Sequence, residues 1–131
     1  MATRERPLSP HLWIYKWQAQ MLSSILHRAT GMALAAGSLL LVCGLVSLSM
    51  GPDRWAFFTK LAGSIPGLFV LLAFTWALSY HLINGVRHLL QDGGLGFAIP
   101  QFVRSSLISM IGSVVLTATV WGILLARWGQ P

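Results

Sequence analysis

The chain has 131 residues, enough for one domain, of which 55% are hydrophobic and only 9% charged. Soluble domains carry about 25% charged residues, so a soluble enzyme or binding module is excluded and an integral membrane protein is indicated. The net charge of +6 does not signal a nucleic-acid partner, because the basic residues flank apolar stretches instead of forming a patch.

Residues 1–20 are polar, proline-containing and basic, with no apolar core and no small-residue cleavage site. They are therefore expected to be an interfacial segment and not a cleaved signal. Trp13, Tyr15 and Trp17 beside Lys16 suit an aromatic belt at the membrane surface. A first span is expected over residues 21–50, ended by Gly51-Pro52-Asp53. A second is expected over 61–92, with Pro66 near its start, where a missing amide costs least. Gly63 and Gly67 have the GxxxG spacing of close helix packing. The Gly93-Gly94-Leu95-Gly96 stretch follows no strand and lacks a P-loop lysine, so it is a turn. A third span is expected over 102–128.

The chain is uncharged between Arg28 and Asp53, between Lys60 and Arg87, and between Arg104 and Arg127, each interval exceeding 20 residues. A helix of about 20 residues crosses about 30 Å of hydrocarbon. In lipid every backbone amide must be satisfied within its own segment, and the short alternating segments of a β-barrel are absent. The expected fold class is all-α: three transmembrane helices in a single domain, 1–131. Arg4, Arg6, Lys16, Arg28, Arg87 and Arg104 fall on one side of such a topology, against Arg54, Lys60 and Arg127 on the other. That excess predicts a cytoplasmic N-terminus and an external C-terminus. Cys43 sits mid-span, without a disulfide or iron–sulfur partner, and is expected to be a small buried packing residue.

Polar side chains are costly in a bilayer and mark function. The first span opens with SSILHR, and the second closes with YHLINGVRHLLQD. Because the two spans run in opposite directions, Ser24, Arg28, His81, Asn84, Arg87 and His88 are expected at one end of the bundle. Ser24 and Arg28 are four residues apart on one helix face. They form either a donor pair for an oxygen-rich ligand or a self-bonded serine with a snorkelling arginine. His81 is either an axial haem ligand or a hydrogen-bonded packing residue. His88 shares its face, so the two cannot grip opposite sides of one haem. His27 lies near the surface, and His11 is outside the spans.

The stretch RPLSPHLWIYKWQAQMLSSILHRATG at 6–31, followed by YHLINGVRHLLQD at 80–92, closely resembles the cytochrome b membrane-anchor subunits, the C subunits, of succinate dehydrogenase (respiratory complex II). The resemblance extends over the whole chain. It implies packing against a second membrane-anchor subunit, with a flavoprotein subunit and an iron–sulfur subunit completing the complex. It implies that Ser24, Arg28 and Trp17 belong to a ubiquinone-reduction site, and that His81 is an axial ligand of haem b, with the opposite ligand from the other anchor. His27 and Arg28 are implied near the haem propionates, with His88 supporting the haem edge or a subunit contact. The implied setting is membrane lipid; because nothing before Arg28 resembles a transit peptide, the bacterial inner (cytoplasmic) membrane is expected in preference to the mitochondrial one. In this frame Ser24 donates to a quinone carbonyl and Arg28 offsets the negative charge that develops on reduction. The alternative is a haem-free structural anchor of a related complex. A channel or transporter would distribute polar residues through the full depth of the membrane.

Overall fold

The computed structural model describes His11, Ile14 and residues 16–128. Trp13, Tyr15, Arg4 and Arg6 lie outside the described residues. Four helices follow in order: α1 (Ala19–Ser49), α2 (Pro52–Ala62), α3 (Ile65–Asp92) and α4 (Ile99–Arg127). Of these, α1, α3 and α4 are long and apolar enough to span a membrane. At 1.5 Å per residue their 31, 28 and 29 residues reach about 42–47 Å, longer than the roughly 30 Å hydrocarbon layer.

The three long helices run antiparallel to their chain neighbours. Gly31 meets His81, Gly37 meets Phe74 and Gly44 meets Phe58, so positions rising along α1 face positions falling along α3 and then α2. Arg87 bonds Ser105 and Gly112 faces Ile83, which gives α3 and α4 the same relation. The fully buried side chains are almost all polar: Ser23, Asn84, Ser106, Ser109 and Ser113, together with Tyr80. Leucine, valine and isoleucine point outward. Lipid tails are as apolar as leucine, so burying an aliphatic side chain between helices gains little there; close backbone approach and hydrogen bonds decide the contact.

Helix α4 shows this directly. Ser106, Ser109, Ser113 and Thr117 fall at steps of three and four and are all buried. Each hydroxyl donates to a carbonyl of its own helix, on Phe102, Ser105, Met110 and Ser113 respectively. The stripe offers neighbouring helices a smooth, self-satisfied surface. On α1, Gly37 does the same for Phe74, whose ring lies where a Cβ would stand.

Three expectations are corrected. Residues 52–62 form a helix instead of a loop. Gly51, at φ 108°, makes the left-handed turn that L side chains avoid; Pro52 then starts the helix, and Asp53 and Lys60 suit the two ends of its dipole. The second span accordingly begins at Ile65 and not at residue 61, with the Ser64 hydroxyl accepting from Gly67 N–H at 3.3 Å. Gly63 and Gly67 do not share a helix face: Gly63 caps α2, while Gly67 lies against the carbonyls of Leu61 and Ala62 where the chain bends. Cys43 is exposed on the surface of the chain and is not a packing residue of its own bundle.

Replacing Gly37 by leucine is expected to destabilise the bundle by about 1–3 kcal/mol, the usual cost of overpacking, because the Phe74 ring has to leave its place. Gly122→Ala, where an added Cβ meets nothing within 4 Å, is expected to be near neutral. Thermal unfolding of the two variants side by side in detergent checks the pair.

Candidate functional site

The polar residues of α1 and α3 converge where α1 begins and α3 ends, in two adjoining clusters. The first is made of imidazoles. His27 and His81 stack face to face, with ring centroids 4.0 Å apart and planes 11° from parallel. His88, two turns beyond His81, approaches His27 at 5.0 Å with a 46° tilt. The helical spacing of seven puts both α3 imidazoles on the face that α1 covers. All three are half-buried.

Thr30 orients His81. Its hydroxyl is 2.8 Å from Leu26 O and 3.0 Å from His27 O, both acceptors, so its proton points back along α1. The same oxygen lies 3.3 Å from His81 Nδ1. With the Thr30 proton on α1, Nδ1–H would donate to it and Nε2 would keep its lone pair, the tautomer a metal ligand needs. Gly31, one residue on, gives the ring room: a Cβ there would stand 3.2 Å from His81 Cε1. His27 Nδ1 is buried without a partner. Among the described residues no group of three or more His, Cys, Asp or Glu could hold a bare metal ion. One oriented imidazole beside an uncrowded helix suits a haem better than a coordination cage.

The second cluster is a buried lock between the helices. Tyr80 OH lies 2.9 Å from Ser23 O and 3.0 Å from Ser23 Oγ. Ser23 Oγ donates in turn to Asn84 Oδ1 at 3.0 Å. Arg87 reaches the same Asn84 oxygen at 3.3 Å, donates from Nε to Ser105 Oγ at 2.8 Å, and stacks its guanidinium 4.4 Å above the Phe102 ring. Ser23, Tyr80 and Asn84 are fully buried. The lock therefore ties α1, α3 and α4 together beside His81.

The residues singled out from the sequence separate into two sets. His27, His81 and His88 are brought into contact. Ser24 is half-buried, Arg28 is exposed, and Trp17, in the extended residues before α1, is 65% exposed; these three present themselves outward at the same end. Sequence reasoning missed the role of Thr30, although its position three residues after His27 on α1 was a usable signal. It also missed Ser105, whose part depends on α4 lying against Arg87.

The chain matches the succinate dehydrogenase/fumarate reductase transmembrane subunit family over residues 2–120. It is 42% identical over 111 residues to the succinate dehydrogenase cytochrome b556 subunit of Paracoccus denitrificans, covering 85% of each chain. It is 39% identical to the cytochrome b556 subunit of Rickettsia prowazekii (strain Madrid E), covering 89% of this chain and 91% of that one. To the mitochondrial succinate dehydrogenase cytochrome b560 subunit of Sus scrofa it is 41% identical, over 84% of this chain and 66% of that one.

Tyr80→Phe removes both bonds to Ser23 and is expected to cost about 0.6–2 kcal/mol, the range for hydrogen bonds within membranes. Asn84→Leu is expected to cost more, because it strips an acceptor from both Ser23 and the buried Arg87. Unfolding free energies measured for the two variants in one bilayer mimetic check the order.

Proposed function

The chain belongs to the succinate dehydrogenase/fumarate reductase transmembrane subunit family, and from that premise we propose that it is a haem- and quinone-binding anchor of a succinate:quinone oxidoreductase. In this reading His81 is an axial ligand of haem b, and Ser24, Arg28 and Trp17 form part of the ubiquinone-reduction site. The names of its relatives, cytochrome b556 and b560 subunits, support haem b. The observation that carries the reading is the placement of His81: its Nδ1 lies 3.3 Å from the Thr30 hydroxyl, whose other partners are carbonyls of its own helix, an arrangement that supports an Nδ1–H tautomer with Nε2 free.

His81 would hold the haem from this chain. His88 sits on the same helix as His81, and His27 lies flat against the His81 ring at 4.0 Å, so a second protein ligand would come from another chain, a second membrane-anchor subunit packed on this end of the bundle. His27, with its unpartnered Nδ1, and Arg28 are the donors suited to the haem propionates, and His88 lines the haem edge or the subunit contact. Haem supplies a one-electron store beside the quinone.

Ser24 and Arg28 act on the quinone itself. The Ser24 hydroxyl donates to a quinone carbonyl oxygen. The Arg28 guanidinium, fixed in charge, lowers the energy of the negative charge that grows there as electrons arrive from the flavoprotein and iron–sulfur subunits. Neither residue delivers protons, because arginine stays protonated; water or partner side chains do so. Trp17, largely exposed in this chain, offers an aromatic wall that the soluble subunits complete. The distribution of basic residues supports a cytoplasmic placement of this end.

The complex purified by a tag on this chain is expected to show a reduced-minus-oxidised b-type haem spectrum, lost in His81→Ala while the flavin-containing subunits still co-purify. Thr30→Val is expected to shift that spectrum without abolishing it. A haem-free wild-type complex with full quinone reductase activity would instead identify a structural anchor. Ser24→Ala and Arg28→Leu are each expected to lower quinone reduction at least about tenfold, with succinate oxidation by an artificial acceptor unchanged. Wild-type quinone reduction in both variants would sink the assignment of the quinone site.

A further inference from the structure

Arg87 carries a buried charge with no opposite charge beside it. It is 8% exposed, its bonds go to neutral oxygens on Asn84 and Ser105, and its second terminal nitrogen has no partner. Asp53 and Asp92 are the carboxylates among the described residues, and neither pairs with it. One turn further on, Gln91 is also 8% exposed, with its side-chain nitrogen unpartnered. A guanidinium held in low dielectric without a countercharge costs several kcal/mol, and two buried, unsatisfied donors on one helix face call for an acceptor.

Arg87 and Gln91 both line a groove of about 280 Å³ between the end of α3, the turn after it and the start of α4. Its other walls include Ile83, Val86, Leu90 and Ile108. At about 100° per residue, Ile83, Val86 and Leu90 stand roughly 140–200° around α3 from His81. The carbon walls thus stand on the side of α3 away from the imidazoles, while Arg87 lies about 120° and Gln91 about 80° around from His81. The cation and the carbon walls are also graded in depth. Arg87 is five residues from the end of α3, about 7–8 Å along the axis, and Ile83 lies about 6 Å deeper.

From this gradient we propose that the groove is a binding site for one phospholipid. Its phosphodiester oxygens accept from Arg87 and Gln91 at the loop end, and one acyl chain lies along Ile83, Val86 and Ile108. A protein carboxylate would satisfy the cation and leave the apolar walls bare; water would satisfy the donors and leave the charge. A phosphate with an attached hydrocarbon chain matches all three features.

The test is native mass spectrometry of the intact complex, stripped with detergent and titrated with phosphatidylglycerol. The expected result is one lipid per copy of this chain, with apparent affinity about tenfold weaker in Arg87→Gln and in Ile108→Trp, which fills the groove and keeps the cation. Diacylglycerol, which lacks the phosphate, is expected not to bind. Wild-type retention of lipid in both variants overturns the site. Loss in Arg87→Gln alone overturns the groove as the seat, and loss in Ile108→Trp alone overturns recognition of the phosphate. If Arg87→Gln does not assemble, Gln91→Leu replaces it with the same expected loss. The haem spectrum and subunit content of each variant report folding independently of lipid, so failure of this site is distinct from failure of the haem reading.

Discussion

In a solvent of hydrocarbon, polar groups hold helices together and apolar ones face out. Everything in this bundle follows from that inversion. The side chains buried between α1, α3 and α4 are serines, two threonines, an asparagine, a glutamine, a tyrosine, an arginine and one alanine, because a leucine gains little by leaving lipid for protein. The serine stripe of α4 and the glycines of α1 bring backbones close, and the Ser23–Tyr80–Asn84–Arg87–Ser105 lock fixes which residues come opposite one another.

The same constraint makes the bundle a scaffold for chemistry. Once Tyr80 is tied to Ser23, the next residue on α3, His81, is carried to Thr30 and His27 on α1. The lock and the imidazoles are consecutive positions on the same two helices. A polar contact that costs little inside the protein would be ruinous in lipid, so the register of α1 against α3 has few alternatives. Thr30, 3.3 Å from His81 Nδ1, then holds that ring against α1.

The chain also presents groups it does not itself complete. His81 has one free nitrogen, Arg28 and Trp17 face outward, and Arg87 has a charge without a counterpart. Each is costly for a solitary bundle, and in the readings proposed above each would be relieved by a different occupant: a prosthetic group, a substrate with neighbouring subunits, and a lipid. A subunit built for assembly differs in this way from a membrane protein that is finished by itself.

The sequence by itself determined the three spans, because uncharged runs of more than 20 residues have one stable form in lipid. It also determined the convergence of SSILHR and YHLINGVRHLLQD at one end, which needs only the alternation of direction between successive spans. The family was legible in those two stretches. Helix α2 was not, because Asp53, Arg54 and Lys60 read as a charged loop until the dipole and the Gly51 turn explain them. Nor was the lock: Ser23 and Tyr80 are 57 residues apart, and Arg87 and Ser105 are 18 apart. Hydrogen bonds form between positions and not between residue types. Which serine meets which tyrosine depends on the rotation of each helix about its axis, and only packing of the whole bundle decides that angle.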